Sequence, residues 1–434
     1  MKNRSSKSDF LALLFFLTTA VLVLTNGFTA RVGAQDDSVD VYTKLEPVGD
    51  VLDRILEEYY EVPDVDHVVE GALQGMMNAL DEHSSFISAE DLETLTEDTE
   101  GEFEGIGVSI RLEDDGSIVI FQPLPGSPAD DAGVQAFDRL LKIDETPTDG
   151  MNLSDAAKLI RGRRGTTVHL TLLRGYENKE KEPEIVELDV RRDKIPLESV
   201  KEARLLEGGI GYIRISDFKK HTSNEMAERI TPLLEQGMTS LILDLRWNSG
   251  GLLSASKDVS ELFLPKNTLV TYTKGRERKG GFSPENMKLY TEKPPVLPEG
   301  FPMLVLINGQ TASSAEIVTG ALQFWQRALI LGEKTYGKGS VQTIIPLKRP
   351  EGSALRLTTA LYYTPAEVTI HKAGIKPDID VPMDLEQQTA LWKQMYASYE
   401  TDPSKVNAQD HGAVTGNETV EGQTQVQDLQ LQRA

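Results

Sequence analysis

Two serine-bearing stretches and one lysine hold most of the reactive potential of this 434-residue chain. The first stretch is DLRWNSGG, residues 244–251, with Ser249 ahead of two glycines. The second is VLINGQTASSAEIVTGALQ, residues 305–323, followed by GEKTYGKGSVQ, residues 332–342. There are no cysteines, which excludes a thiolate nucleophile, a disulfide and a cysteine-held metal. A serine hydroxyl needs a partner to take its proton, either a histidine or a desolvated lysine. Ser249 would require a histidine base and an aspartate to orient it. The histidines are His67, His83, His169, His221, His371 and His411, and only His221 lies upstream of Ser249 in the same segment, 28 positions before it. In the second stretch an apolar run, MLVLING, enters a small-residue turn ahead of a helix. A serine there stands at a helix N-terminus, where the dipole favours developing negative charge. Lys338 sits between Gly337 and Gly339, where the backbone is thin. Beside apolar strands its pKa can fall from about 10.4 toward neutrality, which makes the amine a base. No HExxH-type metal spacing and no phosphate loop occurs, and neither metal nor cofactor is expected.

The elements that must position these residues follow from hydrophobic periodicity. Residues 40–95 read as helical: Leu45, Val48, Val51, Leu52, Ile55 and Tyr59 recur at helical spacing, as do Val69, Leu73, Met76, Met77 and Leu80, with Pro63 between the runs. From Gly101 to Asp193 the segments GIGVSI, SIVIFQPL, DRLLKID and TVHLTLL alternate as strands. One helix, 152–161, interrupts them, capped by Asn152 or Ser154. From Leu197 to Met383 apolar strands alternate with helices over 222–236, 252–264 and 314–325, the pattern of an α/β core. The tail from Asp402 has few apolar residues and is expected to be disordered.

Two family resemblances rest on these motifs. EFEGIGVSI followed by PGSPADDAGVQAFDRLLKIDETPT resembles a PDZ domain, with Phe137 where the family usually has glycine. Gly105, Ile106 and Gly107 would then hold a peptide's terminal carboxylate, Val108 would begin the strand that pairs with the peptide, and Leu153, Ala157 and Ile160 would line the apolar pocket. NSGG alone resembles the nucleophile loop of chymotrypsin-like proteases, but a spacing of 28 positions from His221 to Ser249 leaves little room for that two-barrel fold. The order GYIRISDF, DLRWNSGG, TASSAEI, GEKTYGKGSVQ, LRLTTALYYTP and GIKPDIDV, with ALDEHSSFIS ahead of the PDZ-like region, resembles the C-terminal processing peptidases. The likeness spans about residues 45–383.

That resemblance implies a crotonase-like, ClpP-like α/β core with an inserted PDZ domain and an N-terminal helical segment. The implied boundaries are 35–98 for the helical segment, 99–193 for the PDZ domain, 194–385 for the peptidase core and 386–434 for a C-terminal helix and polar tail. It implies Ser313 as nucleophile, with Thr311 where the first serine of the family's turn usually stands, and Lys338, 25 positions on, as general base. Gln342 would orient the lysine, and the N–H of Ser314 with that of Gly250 or Gly251 would form the oxyanion hole. An aspartate that some members carry is replaced by Phe324, and Ala366-Glu367 stands where glycine is commoner. Asp244 and Arg246 read as a structural ion pair. A homodimer through the terminal helices is also implied. A scaffold that binds peptides without cutting them is the alternative of another class, and intact Ser313, Lys338 and Gln342 oppose it.

The N-terminus carries Lys2, Arg4 and Lys7, then an uncharged run, then Val32-Gly33-Ala34. Residues 1–34 are expected to be a secretory signal, or an anchor through residues 10–30. The bulk of the chain is expected outside the cytoplasm, in a periplasm or cell envelope, acting on the C-terminal tails of envelope or secreted proteins. A net charge of −23 argues against nucleic acid as a partner.

Overall fold

The computed structural model describes residues 40–176, 182–277, 286–401 and 427–434. The expected signal or anchor and most of the polar tail lie outside the described residues. Among the described residues no helix is long and apolar enough to cross a membrane.

The N-terminal segment contributes α1 (Val41–Glu58) and α2 (Val65–Asn78). Asp40 caps α1 through the Tyr42 N–H, and the two helices part around Pro63. α1 buries none of its residues and leaves Leu45, Val48 and Val51 exposed, with Tyr59 exposed just beyond its end. The helical reading fails just after α2. Residues 81–84 form a turn, because the Asp81 carboxylate accepts the N–H groups of His83 (2.8 Å) and Ser84 (2.9 Å) and so competes with a helix. Strand β1 (Ser85–Ile87) and helix α3 (Ala89–Glu100) follow.

The chain then enters a β-rich domain through β2 (Glu102–Gly105). The domain runs through β3 (Val108–Leu112), β4 (Ile118–Pro123), one helical turn α4 (Pro128–Asp131), β5 (Arg139–Ile143), β6 (Thr146–Pro147), helix α5 (Leu153–Ile160), β7 (Thr167–Arg174) and β8 (Glu184–Arg191). It leaves through β9 (Asp193–Pro196), which pairs antiparallel with β2. Entry and exit are thus clasped together, as an inserted domain requires. The sheet order is β3-β4-β5-β7-β8, which makes β3 an edge strand. Asn152 caps α5, accepting from the Asp155 N–H at 2.9 Å.

The core carries β10 (Val200–Leu206), β11 (Ile210–Ile215), α6 (Thr222–Glu235), β12 (Ser240–Asp244), α7 (Leu253–Glu261), β13 (Leu269–Gly275), β14 (Lys288–Tyr290), β15 (Met303–Ile307), α8 (Ser314–Phe324), β16 (Leu329–Gly332), β17 (Ser340–Pro346), β18 (Ala354–Tyr363) and β19 (Ile379–Asp380). Six of these strands form a sheet in the order β10-β11-β12-β15-β16-β19, parallel from β11 onward. Its strands are apolar on both faces, as a sheet covered on both sides demands. One face, with Ile213, Leu243, Val305 and Ile330, packs against α6, α7 and α8 through Met226, Val259 and Val318. A second, antiparallel sheet runs β1-β18-β13-β14 with β17 on β18, and it joins the segment before the inserted domain to the end of the core.

Helix α9 (Leu385–Thr401) follows, and the last described element is α10 (Leu429–Arg433). The expectation of a disordered tail does not hold for residues 427–434. Leu431 packs on the second face of the core sheet with Tyr212, Ile242, Leu306 and Leu331, and Gln430 is fully buried. Asp428 forks onto Arg246 (2.8 and 2.7 Å), whose guanidinium also holds Asp244 at 2.6 Å. The Asp244–Arg246 pair is therefore structural, as read from the sequence, and Asp428 completes it. Few apolar residues suffice because a bidentate, nearly dry ion pair supplies the anchor. Replacing Asp428 by Ala removes two charge-assisted bonds and should cost about 2 kcal/mol. The expected result is a thermal midpoint several degrees lower, measured by scanning calorimetry.

Candidate active site

Between β15 and α8 the chain must turn sharply, and Asn308 and Thr311 make the turn. The Thr311 hydroxyl accepts from the Asn308 N–H (3.0 Å) and donates to the Leu245 carbonyl (2.9 Å). Thr311 therefore ties this turn to the DLRWNSGG stretch. Ser313 follows with φ +54, a left-handed backbone that is uncommon for a residue bearing a side chain. Such a conformation costs about 1–3 kcal/mol and persists only where the surroundings hold it.

Glu316 provides that hold. It lies in the first turn of α8 and is fully buried. Its Oε2 accepts the N–H of Ser313 (2.9 Å) and the N–H of Lys338 (2.9 Å). Its Oε1 accepts the Gly337 N–H (2.8 Å) and the Thr335 hydroxyl (2.5 Å). One oxygen thus joins the backbones of the two residues expected to react. Burial pushes the Glu316 carboxyl above its ordinary range, and the four hydrogen bonds work against that rise. Sequence reading assigned Glu316 no role. The Ser-x-x-Glu spacing from Ser313 is legible as a capping box, but a capping box does not disclose donors from another loop.

Lys338 is half-buried, and burial lowers its pKa below the ordinary lysine range. The Arg356 guanidinium pushes in the same direction, and the Glu316 carboxylate opposes. Gly339 has to be glycine, since a Cβ there would lie 2.5 Å from the His371 N. The Tyr362 hydroxyl donates to the Lys338 carbonyl and lies within hydrogen-bond reach of the Ser313 side chain. Burial, then the Glu316 carboxylate, drive the Tyr362 phenol well above its ordinary range, so it stays neutral. His83 also comes close. Burial first, then the charge of Lys338, lower its pKa.

The NSGG loop packs beneath this turn. Asn248 is fully buried; its Nδ2 donates to the Ile215 carbonyl and its own carbonyl accepts the Ala312 N–H. Gly250 has φ +99, and a Cβ there would meet the Ser313 Cβ at 2.6 Å and the Ser314 N at 2.9 Å. Of the three expected oxyanion donors, the structure withdraws one: the Gly250 N–H is bound to Asn248 Oδ1 at 2.9 Å. The N–H groups of Ser314 and Gly251 donate to no described residue. The Ser314 hydroxyl is turned away, donating to the carbonyls of Gly251 and Leu252. Ser249 is exposed, and no described contact joins it to His221, itself exposed at the start of α6. Gln342 lies on β17, where its Nε2 donates to Ser340 Oγ (2.9 Å) and Thr358 Oγ1 (3.3 Å).

In the inserted domain the GIG loop is held by the PGSPA segment. Ser127 Oγ donates to the Gly107 carbonyl at 3.0 Å, and a Cβ on Gly107, whose φ is +76, would strike the Ser127 Cβ. The N–H groups of Ile106 and Gly107 donate to no described residue, which leaves two donors beside the open edge of β3. Gly105 closes β2 and is itself buried. Val108, Leu153 and Ala157 remain partly exposed. The side chain of Ile160 instead packs in the domain's core with Ile106, Ile118, Ile120 and Leu170, so it does not line a groove as expected. Phe137 and Glu367 both have left-handed backbones, with φ +65 and +63.

An α/β core with a strained serine turn beside a desolvated lysine, interrupted by a PDZ fold, defines a serine peptidase class. Peptidase family S41 matches over residues 209–381 and a PDZ domain over residues 119–174. The chain is 37% identical over 377 residues to the carboxy-terminal-processing protease of Bartonella bacilliformis, covering 86% of this chain and 82% of that protein. It is 34% identical to the carboxy-terminal processing protease CtpA of Bacillus subtilis, covering 87% and 77%. A solved photosystem II D1 C-terminal processing protease is 27% identical, covers 77% of this chain and 86% of its own, and has a TM-score of 0.42. The chain belongs to the carboxy-terminal processing proteases of peptidase family S41.

Replacing Glu316 by Gln sets an amide N–H against donors already pointed at that oxygen. Hydrolysis should fall by about 100-fold or more, because misplacing reacting groups by an ångström costs that much. Turnover of an unstructured protein, normalised to the folded fraction by circular dichroism, measures it. Gly250→Ala should do the same through direct collision with Ser313.

Proposed function

We propose that this protein is an exported endopeptidase that captures C-terminal tails on its PDZ domain and cleaves them with a Ser313–Lys338 pair. The observation that carries the reading is the single Glu316 oxygen shared by the N–H groups of both residues, beside a lysine whose ammonium is disfavoured by burial. Neutral Lys338 takes the proton as Ser313 Oγ attacks the scissile carbonyl carbon. The N–H groups of Ser314 and Gly251 receive the developing oxyanion. The Lys338 ammonium returns the proton to the leaving amine, and an acyl-enzyme remains. Lys338 then activates water, which releases the acid and restores the serine. Gln342 orients the amine.

The substrate tail adds as a strand to the edge of β3, its carboxylate at the free N–H groups of Ile106 and Gly107 and its apolar side chains against Val108, Leu153 and Ala157. Substrates are envelope or secreted proteins with accessible apolar C-termini. The layout of residues 1–34 supports a signal or an anchor through residues 10–30, with the catalytic domain in the periplasm or cell envelope. The exposed apolar stripe of α1 supports a homodimer through the terminal helices.

Ser313→Ala and Lys338→Ala should each abolish turnover of an unstructured protein substrate, while Ser249→Ala stays active; the opposite pattern would overturn the assignment. Amidating a peptide substrate's C-terminus should weaken its binding. The neutral amine is the base, so kcat/KM should rise with pH through one ionisation below the ordinary lysine range. Arg356→Gln removes a positive charge that disfavours the Lys338 ammonium, so the Lys338 pKa rises and the ascending limb should move to higher pH.

A further inference from the structure

The turn at residues 81–84 lies on the far side of the inserted domain in sequence, yet it reaches the site through a chain of hydrogen bonds. The Asp81 carboxylate accepts from the N–H groups of His83 and Ser84, from Ser84 Oγ (2.9 Å) and from Thr358 Oγ1 (3.2 Å). Ser84 Oγ in turn accepts the Thr358 N–H at 3.1 Å, so the turn grips β18 at two points. Thr358 stands opposite Gln342 in the pairing of β17 with β18, and its Oγ1 accepts from Gln342 Nε2 at 3.3 Å. The second N–H of that amide is used by Ser340 Oγ at 2.9 Å.

The direction of every bond in this chain is fixed at its far end. A carboxylate only accepts, so the Thr358 hydroxyl must donate its one proton to Asp81. It can then only accept from Gln342, which requires the NH2 side of the amide to face it. The amide oxygen is left as the one polar atom of Gln342 with no described partner. We propose that Asp81, through Thr358, is the positioning residue that sets the polarity of the Gln342 amide, presenting its oxygen and not its NH2 to Lys338. An acceptor there takes an N–H of Lys338 and leaves the amine lone pair for the serine proton. A donor there would occupy the lone pair and block the base. Burial raises the Asp81 carboxyl, but the hydrogen bonds to it outweigh that and hold it below its ordinary range, so it remains an acceptor at neutral pH.

This inference rests on the Ser–Lys reading, and one set of variants separates the two. Asp81→Asn can donate to Thr358, which frees the hydroxyl to donate to the Gln342 oxygen and lets the amide turn over. Asp81→Asn and Thr358→Val should each lower kcat by about 10- to 100-fold with KM within twofold, and raising the pH should not recover the loss, since the lysine is blocked and not protonated. Thr358→Ser, which keeps the hydroxyl, should restore most of the rate. Lys338→Ala is measured alongside. If Lys338→Ala remains active, the Ser–Lys reading falls. If Lys338→Ala is inactive while Asp81→Asn and Thr358→Val keep their kcat, or if Thr358→Ser is as impaired as Thr358→Val, the relay alone falls. Should Asp81→Asn not fold, the Thr358 pair decides the matter by itself.

Discussion

A buried carboxylate without a cation in ion-pair contact is costly, and such a group survives in a protein interior only where donors converge on it. Glu316 meets that condition with four donors, and the reactive arrangement hangs from them. Neither Ser313 nor the 333–339 loop belongs to a strand or to the body of a helix, so neither is placed by a ladder of its own. Helix α8, by contrast, is buried over Ser314–Leu322 and cannot shift without disturbing the core. The carboxylate carries that rigidity outward to two loops at once. The strain at Ser313 and the glycine-flanked backbone of Lys338 are tolerable because both are held against a helix buried along nearly its whole length.

The same logic recurs on the other face of the sheet. Arg246 is as deeply buried as Glu316 and is likewise surrounded by groups that satisfy it, two of them carboxylates. It anchors the strand that runs into the NSGG loop, and Asn248 and Gly250 pass that position on to the serine turn. The peptidase core thus brings its reactive turn into register from two sides. Packed helix lies above it and a dry ion-pair cluster below.

Much of this was legible in the sequence. Strands and helices of the core follow the apolar runs closely, and Asn152 caps its helix as its residue type suggests. The order of motifs led to the family, and Asp244 with Arg246 to a structural pair. What escaped reading was set by tertiary partners. Glu316 looks like half of a capping box until Gly337 and Lys338 arrive from a distant loop. The 81–84 turn lies between helical patterns, and only the donors on Asp81 break the periodicity. Ile160 sits where a groove was expected, but the domain is small and its core claims it. Residues 427–434 look like the rest of a polar tail, because a single aspartate that finds Arg246 leaves no periodic trace.

That docked segment matters for an enzyme whose proposed ligands are extended peptides. A segment of the same chain competes with any free peptide at a high effective concentration. Strand addition at an open sheet edge requires an extended peptide. Here residues 429–433 are wound into a helix, pinned by Asp428 and by Leu431 to the face of the core sheet opposite α6, α7 and α8. Folded this way, these residues offer no extended backbone to an open sheet edge. The ion pair that steadies the core also holds this segment in a form that strand addition cannot use.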